Sequence, residues 1–378
     1  MKKIFSTGKN LAALVFAVVL LLTGCGQSAA PQQQAPAQPP TLHDAAVKMV
    51  AAMTLEEKIG QMLVIGIEGT ELDAGALEML RDYHVGGVIL FDRNMTNKYQ
   101  VTGLNANLQR LNKASNKLPL YLCVDQEGGA VARMQQDLTV APTAASLAAQ
   151  GVPDEAERWA YQTGQELRTL GFNVNFAPVA DIGIPYGRSY GNDAATVTKF
   201  TAAACRGYAR SGLLYSLKHF PGMGKSAVDP HTEQYRITAR RAELLQEDVA
   251  PFRNIISKFD NQEFMVMVGH LIYTDLDTVP ASVSPQVIKI LLRQELGFQG
   301  LVITDDMEMG ALTSMYTFPE MGVAAVQAGV DLLLVCHNYE HQKQVYQGVL
   351  AAVQSNRIAA DVIDAAVVRI VENKMRKL

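Results

Sequence analysis

Two stretches of the chain hold side chains able to attack as a nucleophile and to give and take a proton. The first runs from Lys218-His219-Phe220-Pro221-Gly222 to Asp229-Pro230-His231. The second is the apolar run Leu301-Val302-Ile303-Thr304, which delivers Asp305. Glycoside cleavage with retention needs a carboxylate nucleophile below the sugar ring and a proton donor beside the leaving oxygen. Asp305 suits the first role, with its neighbour Asp306 as a rival, because successive residues diverge where a strand gives way to a loop. Asp306 is expected instead to accept hydrogen bonds or cap the following turn. His231 suits the second role, since an imidazole with an ordinary pKa of about 6.5 can give and take a proton near neutrality. Asp229, two residues upstream, can fix its tautomer and stabilise the imidazolium. Pro230 keeps the pair in an extended or turn-like link.

A sugar held for such chemistry needs charged groups against its hydroxyls. Asp125 and Arg133 in Asp125-Gln126-Glu127-Gly128-Gly129-Ala130-Val131-Ala132-Arg133 can serve, as can Arg188 and the Lys218-His219 pair. Glu127 is read as an ion-pair partner of Arg133 or Lys218. The single tryptophan, Trp159, falls in a helical stretch, so a narrow pocket for one terminal sugar fits better than a platform for a long polysaccharide.

Positioning these groups falls to short apolar runs that alternate with amphipathic stretches. The runs are Gln61 to Gly66, Gly87 to Phe91, Leu120 to Val124, Asn173 to Phe176, Tyr215 to Lys218, Phe264 to Gly269, Leu301 to Thr304 and Leu332 to Val335. Helical periodicity marks Leu72 to Tyr83, Lys98 to Ser115, Asp154 to Leu170, Ala194 to Ser211, Arg240 to Lys258, Pro285 to Leu296, Met321 to Ala328 and Glu340 to Gln354. Eight alternating units predict a (β/α)8 barrel of TIM type, a single catalytic domain. In that fold Asp92, Arg93, Asp125, Asp181, Lys218, His219, His270, Asp305 and His337 all follow strands and share the C-terminal rim, which makes His270 a further substrate-binding candidate. A doubly wound nucleotide-binding sheet has no support, because no Gly-x-Gly-x-x-Gly turn follows the first run.

The chain has 378 residues, with 33 basic against 37 acidic side chains and a formal charge of -4, so nothing points to a nucleic-acid partner. Lys2 and Lys3, the apolar segment Leu11 to Leu22 and Leu22-Thr23-Gly24-Cys25 read as an export signal. That final tetrad resembles the bacterial lipoprotein box, which makes Cys25 the expected lipid-bearing residue and the cell envelope the expected location. Residues 1–24 are thus expected to be a signal peptide, 25–41 an anchor and Pro/Gln/Ala-rich spacer, and 42–378 the barrel. Cys123, Cys205 and Cys336 are too widely spaced for a disulfide framework and read as buried thiols.

Several of these motifs occur together, in order, from about Met53 onward: Thr54 to Gln61, Gly86 to Phe91, Asp125 to Arg133, Asn175 to Asp181, Lys218 to Gly222, Pro280 to Ser282 and Thr304 to Met307. On them the chain resembles glycoside hydrolase family 3, specifically its single-domain bacterial β-N-acetylhexosaminidases. The resemblance implies Asp305 as nucleophile, His231 as acid/base with Asp229, and Asp125, Arg133, Arg188, Lys218 and His219 as sugar-binding residues. It implies neither metal nor organic cofactor, a monomer, and a substrate bearing terminal N-acetylglucosamine, from cell-wall fragments or chitooligosaccharides. Met223 and Lys225 stand where the family commonly has His and Asp, and Pro230 where Ser is common. The rival readings are a family 3 β-glucosidase or xylosidase, a phosphorylase, and a non-catalytic sugar-binding lipoprotein.

Overall fold

The computed structural model describes residues 41–226 and 232–378. The expected signal segment, Cys25 and most of the spacer lie outside the described residues, as do Asp229 and His231. Among the described residues, eight parallel strands make one sheet: β1 Leu63–Gly66, β2 Gly87–Ile89, β3 Tyr121–Val124, β4 Val174–Asn175, β5 Leu214–Phe220, β6 Phe264–Val268, β7 Leu301–Thr304 and β8 Leu333–Val335. Each pairs with its neighbours in chain order, and β8 pairs with β1. A parallel bridge between Ile303 and Leu332 joins β7 to β8, with the Thr304 N–H donating to the Leu332 carbonyl at 3.0 Å. The ring is that of a (β/α)8 barrel. Its strands are buried along their whole length because helices cover one side and interior side chains fill the other, hence aliphatic runs rather than alternating ones.

Helices Lys98–Ser115 and Ala194–Ser211 keep the expected bounds, the first capped by Asn97 and the second by Asp193. Two expectations change. Gln61 closes helix Leu55–Gln61, started by a Thr54/Glu57 capping box, so β1 begins two residues later than expected. The stretch expected as one helix over Arg240 to Lys258 is two, Arg241–Gln246 and Ala250–Lys258, the second with Pro251 in its first turn. The break turns Asp248 inward, where it is 1 % exposed.

The last helix, Ala360–Lys377, was not expected, and it closes the end of the barrel away from the rim. Its buried stripe is Ile363, Ala366, Val367, Ile370 and Val371. Ion pairs His43–Glu372 at 2.6 Å and Lys58–Asp364 at 2.7 Å fasten it to the two leading helices, and Arg369 reaches the buried Asp331 at 2.8 Å. Lys374, 1 % exposed, donates to the Gln61 side-chain carbonyl and the Gly86 backbone carbonyl, both at 2.8 Å. Two acceptors and no carboxylate suit a neutral amine, and burial brings its pKa down to about 7. Cys123, Cys205 and Cys336 are free and buried, as expected.

Lys374 generates a prediction about pH. An unfolded lysine titrates near 10.4, so between about pH 7 and 10 the unfolded chain binds more protons and stability rises with pH. Urea unfolding of wild type and Lys374→Met should show wild type gaining a few kcal/mol relative to the variant from pH 7 to 10. Parallel stability curves would contradict a neutral buried amine.

Candidate active site

Closure of the barrel brings the strand C-termini around one cavity of about 240 Å³. That is below the roughly 300–1,000 Å³ of pockets for drug-sized molecules, and suits a ligand the size of a single sugar ring. Asp125, Arg133, Arg188, Lys218, His219 and Asp305 all line it, so the described charged candidates converge on one place.

One wall is an ion cluster. The Lys218 Nζ lies 2.7 Å from Asp125 Oδ1 and 2.6 Å from Glu127 Oε1, and Lys218 is only 3 % exposed. Arg188 holds Glu127 through both carboxylate oxygens at 2.8 Å. Burial would raise the Glu127 pKa, but the ammonium of Lys218 and the guanidinium of Arg188 bring it down to about 2. For Lys218, burial works against the charge and Asp125 and Glu127 outweigh it, leaving the ammonium firmly protonated. Arg133 pairs not with Glu127 but with Asp92, at 2.7 Å, across the cavity mouth.

Neighbouring strand residues ordinarily face opposite ways, yet Lys218 and His219 both reach the cavity. The pairing of β5 with β6 shifts register between Leu217 and Phe220, and this irregularity re-aims the strand end. His219 is then fixed by Asp181, which is fully buried. One Asp181 oxygen lies 2.7 Å from the ring Nδ1, and the carboxylate also accepts the backbone N–H groups of His219 and, at 2.8 Å, Met223. The other ring nitrogen, Nε2, comes 4.0 Å from Asp305 Oδ2.

Asp305 follows β7, its backbone N–H donating to the Val268 carbonyl at 2.9 Å, and 15 % of its side chain stays accessible. Burial alone would raise its pKa. His219 and His270, the Asp306 N–H at 2.9 Å and Lys218 together hold it below the ordinary carboxylate value. Asp305 is therefore an ionised carboxylate facing the cavity, the state a nucleophile needs. Asp306 also borders the cavity but is occupied: it accepts from the backbone N–H groups of Glu308 and Cys336 and lies 3.2 Å from His337 Nε2.

His270 corrects an expectation. It is fully buried, its Nδ1 2.7 Å from the Ser282 hydroxyl and its Nε2 2.8 Å from the Asp306 carbonyl. Both ring nitrogens are taken and the ring does not line the cavity, so it braces the turn after β7 instead of meeting a substrate. Burial pushes its pKa down, against the opposing pull of Asp305 and Asp306.

Glu127 meets Lys218, one of its two expected partners, and also Arg188, which was not expected; Asp181, expected only on the rim, grips His219. A signal existed for each, since Glu127 lies two residues beyond Asp125 and Asp181 ends the Asn175 to Asp181 motif. Met223 and His337 also line the cavity.

The chain is similar to known proteins. The family profile described as "Glycosyl hydrolase family 3 N terminal domain" matches residues 54–373. A protein named "Beta-hexosaminidase" from Stenotrophomonas maltophilia (strain K279a) is 37% identical over 286 residues, 73% of this chain and 83% of its own length. "Beta-hexosaminidase A" of Pseudoalteromonas piscicida is 31% identical over 336 residues, 81% of this chain and 56% of its own. Among solved structures, the glycoside hydrolase family 3 beta-N-acetylglucosaminidase from Paenibacillus sp. str. FPU-7 superposes with a TM-score of 0.83 at 40% identity, over 86% of this chain and 63% of that one. The Beta-N-acetylhexosaminidase from Beutenbergia cavernae DSM 12333 gives 0.78 at 27% identity, over 86% of this chain and 99% of that one. With the profile spanning the barrel and its rim, the chain belongs to glycosyl hydrolase family 3 and is a glycoside hydrolase.

Proposed function

We propose that the protein is a retaining, exo-acting β-N-acetylglucosaminidase that releases terminal N-acetylglucosamine from cell-wall fragments or chitooligosaccharides. The observation that carries the reading is the Asp305 carboxylate, held ionised at a cavity sized for one sugar ring and walled by Lys218, Arg188, Asp125 and Glu127. The names borne by its relatives, β-hexosaminidase and β-N-acetylglucosaminidase, support the choice of sugar.

In the first half-reaction Asp305 attacks the anomeric carbon from below while His231, its tautomer fixed by Asp229, protonates the departing oxygen. In the second, His231 takes a proton from water as the water displaces Asp305 from the same carbon. Two inversions return the sugar with its β configuration. Charge developing on the ring is positive, and the Asp305 carboxylate meets it. Asp125, Lys218, Arg188 and Arg133 would hold the hydroxyls, and His219, kept in one orientation by Asp181, would stand beside the nucleophile at the cavity wall. Cys25 would carry a lipid anchor and the barrel would work as a monomer outside the cytoplasm.

Two outcomes follow. With an aryl N-acetylglucosaminide, Asp305→Ala should lower kcat by roughly 10³-fold or more, and His231→Ala by about 10²–10⁴-fold. Near-wild-type turnover in either variant refutes its role, and sugar phosphate formed in phosphate buffer would mark a phosphorylase instead. In cell fractionation, Cys25→Ser should move the enzyme from the membrane to the soluble fraction. Retention of the variant at the membrane would contradict the anchor.

A further inference from the structure

The segment that follows β5 leaves the barrel under unusual constraint. On its inner side Met223 donates its backbone N–H to Asp181, the carboxylate that also holds His219, and the Tyr273 hydroxyl donates to the Gly222 carbonyl at 2.7 Å. Gly222 has φ 125° and lies directly on Asp248: a β-carbon there would come within 2.7 Å of the Asp248 Cβ. The outer side is fastened through Lys225. Its Nζ lies 2.9 Å from Asp248 Oδ2, 2.5 Å from Glu247 Oε2 and 3.5 Å from Glu243 Oε1.

This is not an ordinary surface ion pair. The Asp248 side chain is 2 % exposed, and Lys225 is its one cationic partner among the described residues. A buried carboxylate must keep its partner, whereas exposed pairs contribute little. The acid group also has a fixed address, because the helix break over Glu247 to Val249 turns Asp248 inward. Lys225 therefore joins two sites: the stem of the segment after β5, and the junction between two helices of the barrel's outer layer.

We propose that Lys225 is a positioning residue for proton donation: by fastening residues 222–226 onto Asp248 it sets the point from which the chain runs on to His231. The proposal rests on the reading of His231 as the acid/base. Lys225 does not line the cavity, so it acts through where it holds the backbone. Losing it should harm the step that needs an aimed proton and spare the step that does not.

The test uses the full chain and a series of aryl N-acetylglucosaminides whose phenols range from strongly to weakly acidic. A strongly acidic phenol departs with little help, and a weakly acidic one needs protonation. Lys225→Met leaves Asp248 unpaired and can unfold the protein, so the double variant Lys225→Met/Asp248→Asn, which restores neutrality, is measured beside it, with thermal melting to verify folding. The double variant should lose roughly 10- to 100-fold in kcat/KM with the least acidic phenol and less than about 3-fold with the most acidic. Lys225→Arg should keep the wild-type dependence. A folded double variant with the wild-type dependence, or a loss uniform across the phenols, overturns the proposal. His231→Ala in the same series separates the two ideas. A steepened dependence there supports the acid/base reading, so that a flat result for the double variant counts against the clamp alone. A wild-type dependence in His231→Ala removes the reading, and the clamp's role with it.

Discussion

Everything at the rim depends on a buried ammonium, that of Lys218, lying between two carboxylates. Taking the charge out of water costs several kcal/mol, and only close, well-aimed partners offset that cost. Asp125 from the end of β3 and Glu127 two residues on supply them, and Arg188 closes the other side of Glu127. The cluster thus ties together the ends of β3 and β5 and the long connection after β4. Removing one member would leave its partner charged and dry, so the cavity wall is specified as a unit.

That wall bears on the chemistry through charge. Among the described acids of the cavity, Asp305 has the most distant basic partner, His219 Nε2 at 4.0 Å, yet its surroundings hold its pKa below the ordinary carboxylate value. His219 stands 4.0 Å away, too far for a strong hydrogen bond that would blunt the carboxylate, and near enough to favour its charge. Asp181 fixes that distance by gripping the ring, the backbone of His219 and the backbone of Met223 at once. The neighbouring Asp306 is spent on backbone N–H groups and His337, which leaves one carboxylate of the adjacent pair free for the substrate.

The barrel was legible in the sequence because its signals are local: eight aliphatic runs, all but the first followed by a polar residue, can share one rim only if the strands are parallel and closed. Asp125, Lys218 and Asp305 were legible for the same reason. The partners were less so. Whether Glu127 would meet Arg133 or Lys218 depends on a long-range approach that spacing does not encode; it meets Lys218, and Arg188, which the spacing did not point to, closes its other side. His270 stands at a strand end like the others, but its ring is turned beneath the Asp306 carbonyl, a matter of side-chain direction that the sequence does not reveal. The break at Glu247 to Val249 hid within a helical period, since Pro251 is tolerated in a first turn and so marked no end. The final helix Ala360–Lys377 carries a plain apolar stripe and was overlooked because it follows the eighth βα unit.

In the proposed double displacement Asp305 becomes covalently joined to the sugar. The most direct test is to slow the second half-reaction with a 2-deoxy-2-fluoro glycosyl donor bearing an acidic leaving group, quench, digest and locate the added mass by tandem mass spectrometry. One glycosyl group on Asp305 is expected, lost again as the enzyme regains activity. A label on Asp306, or none together with a product of inverted configuration, would contradict the covalent role of Asp305.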